Sequence, residues 1–217
     1  MRQYRTARLY EPDVVAAFGA AASSTTSVTE TLLDDLVGRY SAPERHYHGV
    51  RHIAAMLDLL AEHATGAQNR DALILAILYH DAIYDPHRND NEMASAALAR
   101  EQLARLAVPE TMIRRVEALV LATRHAIVPP PDDRDAARLI DIDLAILAAP
   151  ADAYRAYAAA IRREYAHVPD DLYRHGRAKV LAGFLARSRI FTIVFPRDLW
   201  DAAARKNLAD EIAVLTR

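Results

Sequence analysis

Apolar residues recur at three- and four-residue intervals along almost the whole chain, and no stretch alternates apolar and polar positions between turn signals. The pattern predicts an all-α protein, with helices at roughly 12–22, 28–40, 48–63, 68–84, 91–106, 109–125, 135–148, 151–166, 170–188 and 197–215. Prolines punctuate it. Pro12, Pro43, Pro86, Pro109, the run from Pro129 to Pro131, Pro150, Pro169 and Pro196 each stand near a helix start or in a loop. "SSTTS" at 23–27 reads as an N-cap region between two helices, and "PPPDDRD" at 129–135 as a surface loop. No repeat, linker or low-complexity segment divides the chain, so residues 1–217 are read as one domain.

Helix 68–84 stands apart because Leu73, Ile74, Leu75, Ile77, Leu78 and Ile83 cover most of its circumference, which marks it as the central helix of a bundle. Its apolar run ends in His80 and Asp81, placed side by side inside the bundle. Such groups are costly to bury unless hydrogen bonds, an ion pair or a metal compensate their desolvation. Two further clusters offer partners. In "RHYHGVRHIAAML" at 45–57, His48 and His52 are four residues apart and share a helix face, while His46 precedes them on another side. In "LIDIDLAILA" at 139–148, Asp141 and Asp143 interrupt an apolar helix about 200° apart on the wheel, so one points into a site and the other toward the surface. Two imidazoles and two carboxylates from three apolar helices form a mixed nitrogen and oxygen set that suits Mn, Fe, Co, Ni or Zn, with Mg allowed.

The composition narrows the chemistry. The 52% hydrophobic content is that of a folded protein. A formal charge of -2 gives no basic excess for nucleic acid or an anionic membrane, so a small-molecule partner is expected and no nucleic acid polymer. The absence of cysteine removes thiolate metal sites, disulfides and thiol nucleophiles together. The polar, charged start "MRQYRTARLYEPDVV" does not read as a secretory signal, and no apolar run approaches a membrane span, so a cytoplasmic protein is expected. Of 27 basic residues only Lys179 and Lys206 are lysines, which hints at bacterial genomic composition.

In order and wording, "YHGVRHIAAML", "ILYHDAIYDPHRNDNEMASA", "LATRH", "DIDLAILA" and "IRREYAHVP" resemble the HD superfamily of metal-dependent phosphohydrolases, over roughly residues 40 to 215. The resemblance implies an HD-domain helical bundle of about ten helices, with its core motifs in 45–145 and helices 151–215 completing it. It makes His52, His80, Asp81 and Asp143 the metal ligands. Asp143 is preferred over Asp141 because the family's last aspartate sits in an Ala-Asp-x-Leu-like setting, here Ile142-Asp143-Leu144. Gly49 departs from the group, which often carries Asn after "YH"; that touches a supporting hydrogen bond rather than the ligands.

The activity so implied is hydrolysis of a small phosphorylated metabolite, a nucleotide among the candidates, by water activated on one divalent ion. Glu92, eleven residues past Asp81, is the expected general acid/base, although a Glu in the first turn of a helix also answers the helix dipole. His125 is expected to touch phosphate or join a second metal, His48 and Tyr84 to face substrate, and Arg45, Arg162 and Arg177 to bind phosphate through their guanidinium forks. Glu164 and Tyr165 read as packing between helices, and helix 170–188 offers a face for a homodimer. Two other classes stay open: a dinuclear iron HD oxygenase, which needs further ligands from His125, His48 or Glu92, and a non-catalytic nucleotide-binding HD module.

Overall fold

A computed structural model of the chain describes residues 26–63, 65–124, 132–193 and 196–217. The helix expected at 12–22 and residue His125 lie outside the described residues. Those described form nine α-helices and one 3-10 helix, with no strand among them: α1 Thr26–Tyr40, α2 Val50–Glu62, α3 Arg70–Tyr79, α4 Asn91–Arg105, α5 Glu110–Ala122, α6 Arg134–Asp143, the 3-10 helix Leu144–Ala148, α7 Ala151–Glu164, α8 Asp170–Leu185 and α9 Arg197–Leu215. None is long and apolar enough to cross a membrane.

The sequence places these helices through familiar end signals. Pro109, Pro150, Pro169 and Pro196 immediately precede α5, α7, α8 and α9, where a fixed φ and a missing N–H do no harm. The Asn69 side chain accepts from the Ala72 N–H to cap α3, and Asp133 does the same for α6 through Ala136. Leu73, Ala76, Ile77 and Tyr79 are fully buried because α3 packs on α2, α4, α5 and α6 at once. The neighbouring layers are an α4–α5 hairpin and an α8–α9 hairpin, the latter resting on the 3-10 helix.

Two expected helices are shorter than periodicity suggested. The helix read as 68–84 stops at Tyr79, because side chains and a turn claim the carbonyls that a further turn would use. Leu78 O accepts from the Tyr40 hydroxyl at 3.1 Å, Ile77 O from the His80 ring at 2.9 Å, and Tyr79 O from the Ala82 N–H at 3.0 Å. The helix read as 135–148 tightens into 3-10 geometry after Asp143, which leaves Asp143 at the junction.

Candidate metal centre

Three elements deliver the candidate ligands to one point. His52 comes from the buried face of α2, His80 from the cap of α3, and Asp143 from the last residue of α6. His52 Nε2 lies 3.3 Å from His80 Nε2 and 3.1 Å from Asp143 Oδ1. His80 Nε2 lies 3.1 Å from Asp81 Oδ2 and 3.8 Å from Asp143 Oδ1. Both imidazoles are buried, whereas the Asp81 and Asp143 side chains keep 15% and 13% exposure, a narrow opening toward solvent. The donor atoms of His52, His80 and Asp143 form a group that can hold a metal ion, the one such group found among the described residues.

The spacing fits that use. Metal–donor distances of about 2.0–2.2 Å put adjacent ligands about 3.0–3.6 Å apart in tetrahedral or octahedral geometry, close to the separations here. The His80 Nδ1–H donates to Ile77 O, which turns Nε2 toward the cluster, the arrangement that orients a metal-binding imidazole. Without a cation the cluster holds a proton instead. Burial alone would push His80 down, but the charge and hydrogen bond of Asp81, then the charge of Asp143, outweigh it and raise the imidazole to about 9. Burial wins at His52, which is pushed down despite Asp143. Burial would raise Asp81, yet His80, His48 and His52 hold it well below the usual carboxylate range.

Asp141 departs from its expected surface position. It is buried, and its carboxylate accepts the Thr192 N–H at 2.9 Å and the Ile193 N–H at 2.6 Å, pinning the chain after α8. The two aspartates of "DIDL" thus split between a backbone anchor and the metal group.

Around the ligands lies a second set of contacts. Arg45 donates to Asp81 O at 2.6 Å, His48 O at 2.9 Å and Ala82 O at 3.1 Å, stapling the segment before α2 to the turn after α3. His48 precedes α2 rather than riding on it, and its ring stacks on Tyr84 at 4.3 Å between centroids. Gly49 is tightly enclosed: a Cβ there would stand 3.1 Å from Tyr40 O, so the Asn common in the resembling group would require a shift of the backbone. Arg162 donates to Tyr165 O at 2.7 Å and Val168 O at 3.2 Å, and Arg177 grips Glu211 at 2.9 Å with its guanidinium over the Tyr157 ring. The forks of Arg45, Arg162 and Arg177 are therefore engaged by protein acceptors, and the expectation of phosphate contacts gains no support from them. Glu92 is half-buried in the first turn of α4, and its carboxylate makes no hydrogen bond or ion pair with a described residue.

Sequence reasoning missed Glu164. This buried carboxylate accepts from the backbone N–H of Tyr47 at 2.7 Å and of His48 at 3.0 Å, from His48 Nδ1–H at 2.7 Å and from the Tyr84 hydroxyl at 3.0 Å. Burial would raise it, but these partners, His48 foremost, hold it at about 2. A signal was present: Tyr154, Tyr157, Ile161 and Glu164 fall at helical spacing on one stripe, and an acid on an apolar stripe needs a partner. No family model, no curated protein and no solved structure matches the chain.

Proposed function

We propose that this chain is an HD-type metal-dependent phosphohydrolase acting on a small phosphorylated metabolite, a nucleotide among the candidates. The observation that carries the reading is the convergence of His52 Nε2, His80 Nε2, Asp81 Oδ2 and Asp143 Oδ1, two imidazole nitrogens and two carboxylates with a solvent-facing side. That donor set and its spacing suit Mn, Fe, Co, Ni or Zn, with Mg allowed. A bound divalent ion supplies hydroxide near neutral pH and polarises a phosphoryl oxygen.

The protein's own residues do the rest. Ile77 O holds His80 in one tautomer, and the α2, α3 and α6 packing excludes bulk water from the imidazoles. The partial exposure of Asp81 and Asp143 sets the side from which substrate approaches. Glu92 is the proposed group for moving a proton at the leaving oxygen.

Elemental mass spectrometry on untagged protein tests the reading, together with a screen of phosphate esters on the metal-loaded chain. About one metal per chain in the parent and none in Asp81→Ala is expected, with hydrolysis of at least one ester. Equal metal in both would overturn the Asp81 assignment. Glu92→Gln should keep the metal and slow turnover; unchanged turnover would return Glu92 to answering the dipole of α4.

A further inference from the structure

We infer that Glu164 is a positioning residue which presents Tyr47 and His48 as a substrate-facing pair beside the metal group, built to receive a phosphoryl oxyanion. The inference rests on the phosphohydrolase reading for its ligand and on the following contacts for its geometry.

Glu164 joins three groups that belong to two consecutive residues. Its Oε1 takes both backbone N–H groups of the Tyr47–His48 pair, and its Oε2 takes the His48 ring at Nδ1. A carboxylate that accepts only leaves no choice of donor, so the His48 proton sits on Nδ1 and the ring cannot turn over. The stacked Tyr84 ring, itself tied to Oε2 through its hydroxyl, closes the other side of the imidazole. The carboxylate reaches this segment from α7, more than 110 positions along the chain, so the orientation of Tyr47 and His48 is imposed by the fold.

What this bracing leaves over is the reason to assign it a role. His48 Nε2 has no hydrogen-bond partner among the described residues, and neither has the Tyr47 hydroxyl. Both side chains border the ligands: the Tyr47 ring lies 4.9 Å from the His52 ring and the His48 ring 6.0 Å from it, between centroids. Tyr47 also abuts the Tyr157 ring at 4.6 Å, so its phenol is wedged rather than swinging. A wedged, half-buried phenol whose hydroxyl stays open to solvent, next to a group that can hold a divalent cation, is a donor that an anion can reach. A phosphoryl group bridging the cation and this pair would meet positive charge on one side and the Tyr47 O–H on the other.

Calorimetric titration of inorganic phosphate into the metal-loaded chain tests the inference, with parent, Tyr47→Phe and Glu164→Gln compared at equal metal content. Nitrogen-15 spectra of labelled histidine report the His48 tautomer alongside. Parent binding should weaken roughly tenfold in Tyr47→Phe, the loss of one hydrogen bond to a charged group. Glu164→Gln should weaken it as much or more and erase the fixed Nδ1–H signature while metal content stays at the parent level. Phosphate binding that is equal in the parent, Tyr47→Phe and Glu164→Gln would overturn the inference and leave the phosphohydrolase reading standing. A parent that holds metal yet takes up no phosphate would overturn both. Should Glu164→Gln fail to fold, Tyr47→Phe, which removes one oxygen, decides alone.

Discussion

At the N-terminal end of α6, Asp135 accepts the Gln68 and Asn69 N–H groups at 3.0 and 2.8 Å and pairs with Arg138 at 3.3 Å. Arg138 donates onward to His63 O and Thr65 O, both at 2.9 Å, and Arg115 adds a second cation 3.8 Å from Asp135. At the C-terminal end of the same helix, Asp143 faces His52 and His80, and His80 in turn meets Asp81. In the first cluster Asp135 and Arg138 are buried and Asp133 takes the partly exposed Arg115, so two carboxylates meet two guanidiniums whose donors are matched to carboxylate and carbonyl acceptors. The second holds two carboxylates against two imidazoles and balances only by taking up protons or a cation. Burying charge with complete partners builds a joint, and burying it with a deficit of positive charge builds a binding site.

The contrast can be tested by its effect on the metal-free fold, from the largest to the smallest. Arg138→Ala should lose about 3–5 kcal/mol, because Asp135 would be left buried with only the more distant Arg115 and the His63 and Thr65 carbonyls would lose their donor. Chemical denaturation measures the loss, and folded variant should still take up the parent amount of metal; loss of metal with it would show that the two ends are coupled. Asp141→Ala should lose about 1–3 kcal/mol by stranding the Thr192 and Ile193 N–H groups, again with metal retained.

A pH series comes next. Glu164 is held at about 2 against an ordinary 4.5, so it stabilises the fold above pH 4.5, and this contribution fades as pH falls from 4.5 toward 2. Glu164→Gln should flatten that acid limb in denaturation curves taken at pH 3 and 6, and an unchanged slope would place the acid sensitivity elsewhere. Asp143→Asn should alter the metal-free fold least, by under about 1 kcal/mol, since it removes a carboxylate from a cluster with too many. Added metal should raise the melting temperature of the parent and leave that of the variant unmoved.

Much of the bundle was legible in the sequence, because helical periodicity and proline punctuation act over a few residues. His52, His80 and the Asp141–Asp143 pair stood out for a related reason, polar groups on apolar helical ground needing explanation, and the family resemblance alone separated Asp143 from Asp141. The length of α3 was not legible. Tyr40, 38 positions before Leu78, takes the carbonyl that would have continued it. The burial of Asp141 as a backbone anchor was also closed to sequence reasoning, since the chain that it holds lies near Thr192, 51 positions away.

The sequence by itself determined that the chain is helical, roughly where its helices begin, and which side chains are capable of metal chemistry. Tertiary structure decided the company those side chains keep: that Arg45 serves as a staple, that Asp135 and Arg138 close on each other, and that Glu164 braces Tyr47 and His48 from more than 110 positions away. The physical reason is range. Backbone preference and amphipathic spacing are settled between near neighbours, whereas the electrostatic balance of a buried group is a sum over whichever elements the fold packs around it.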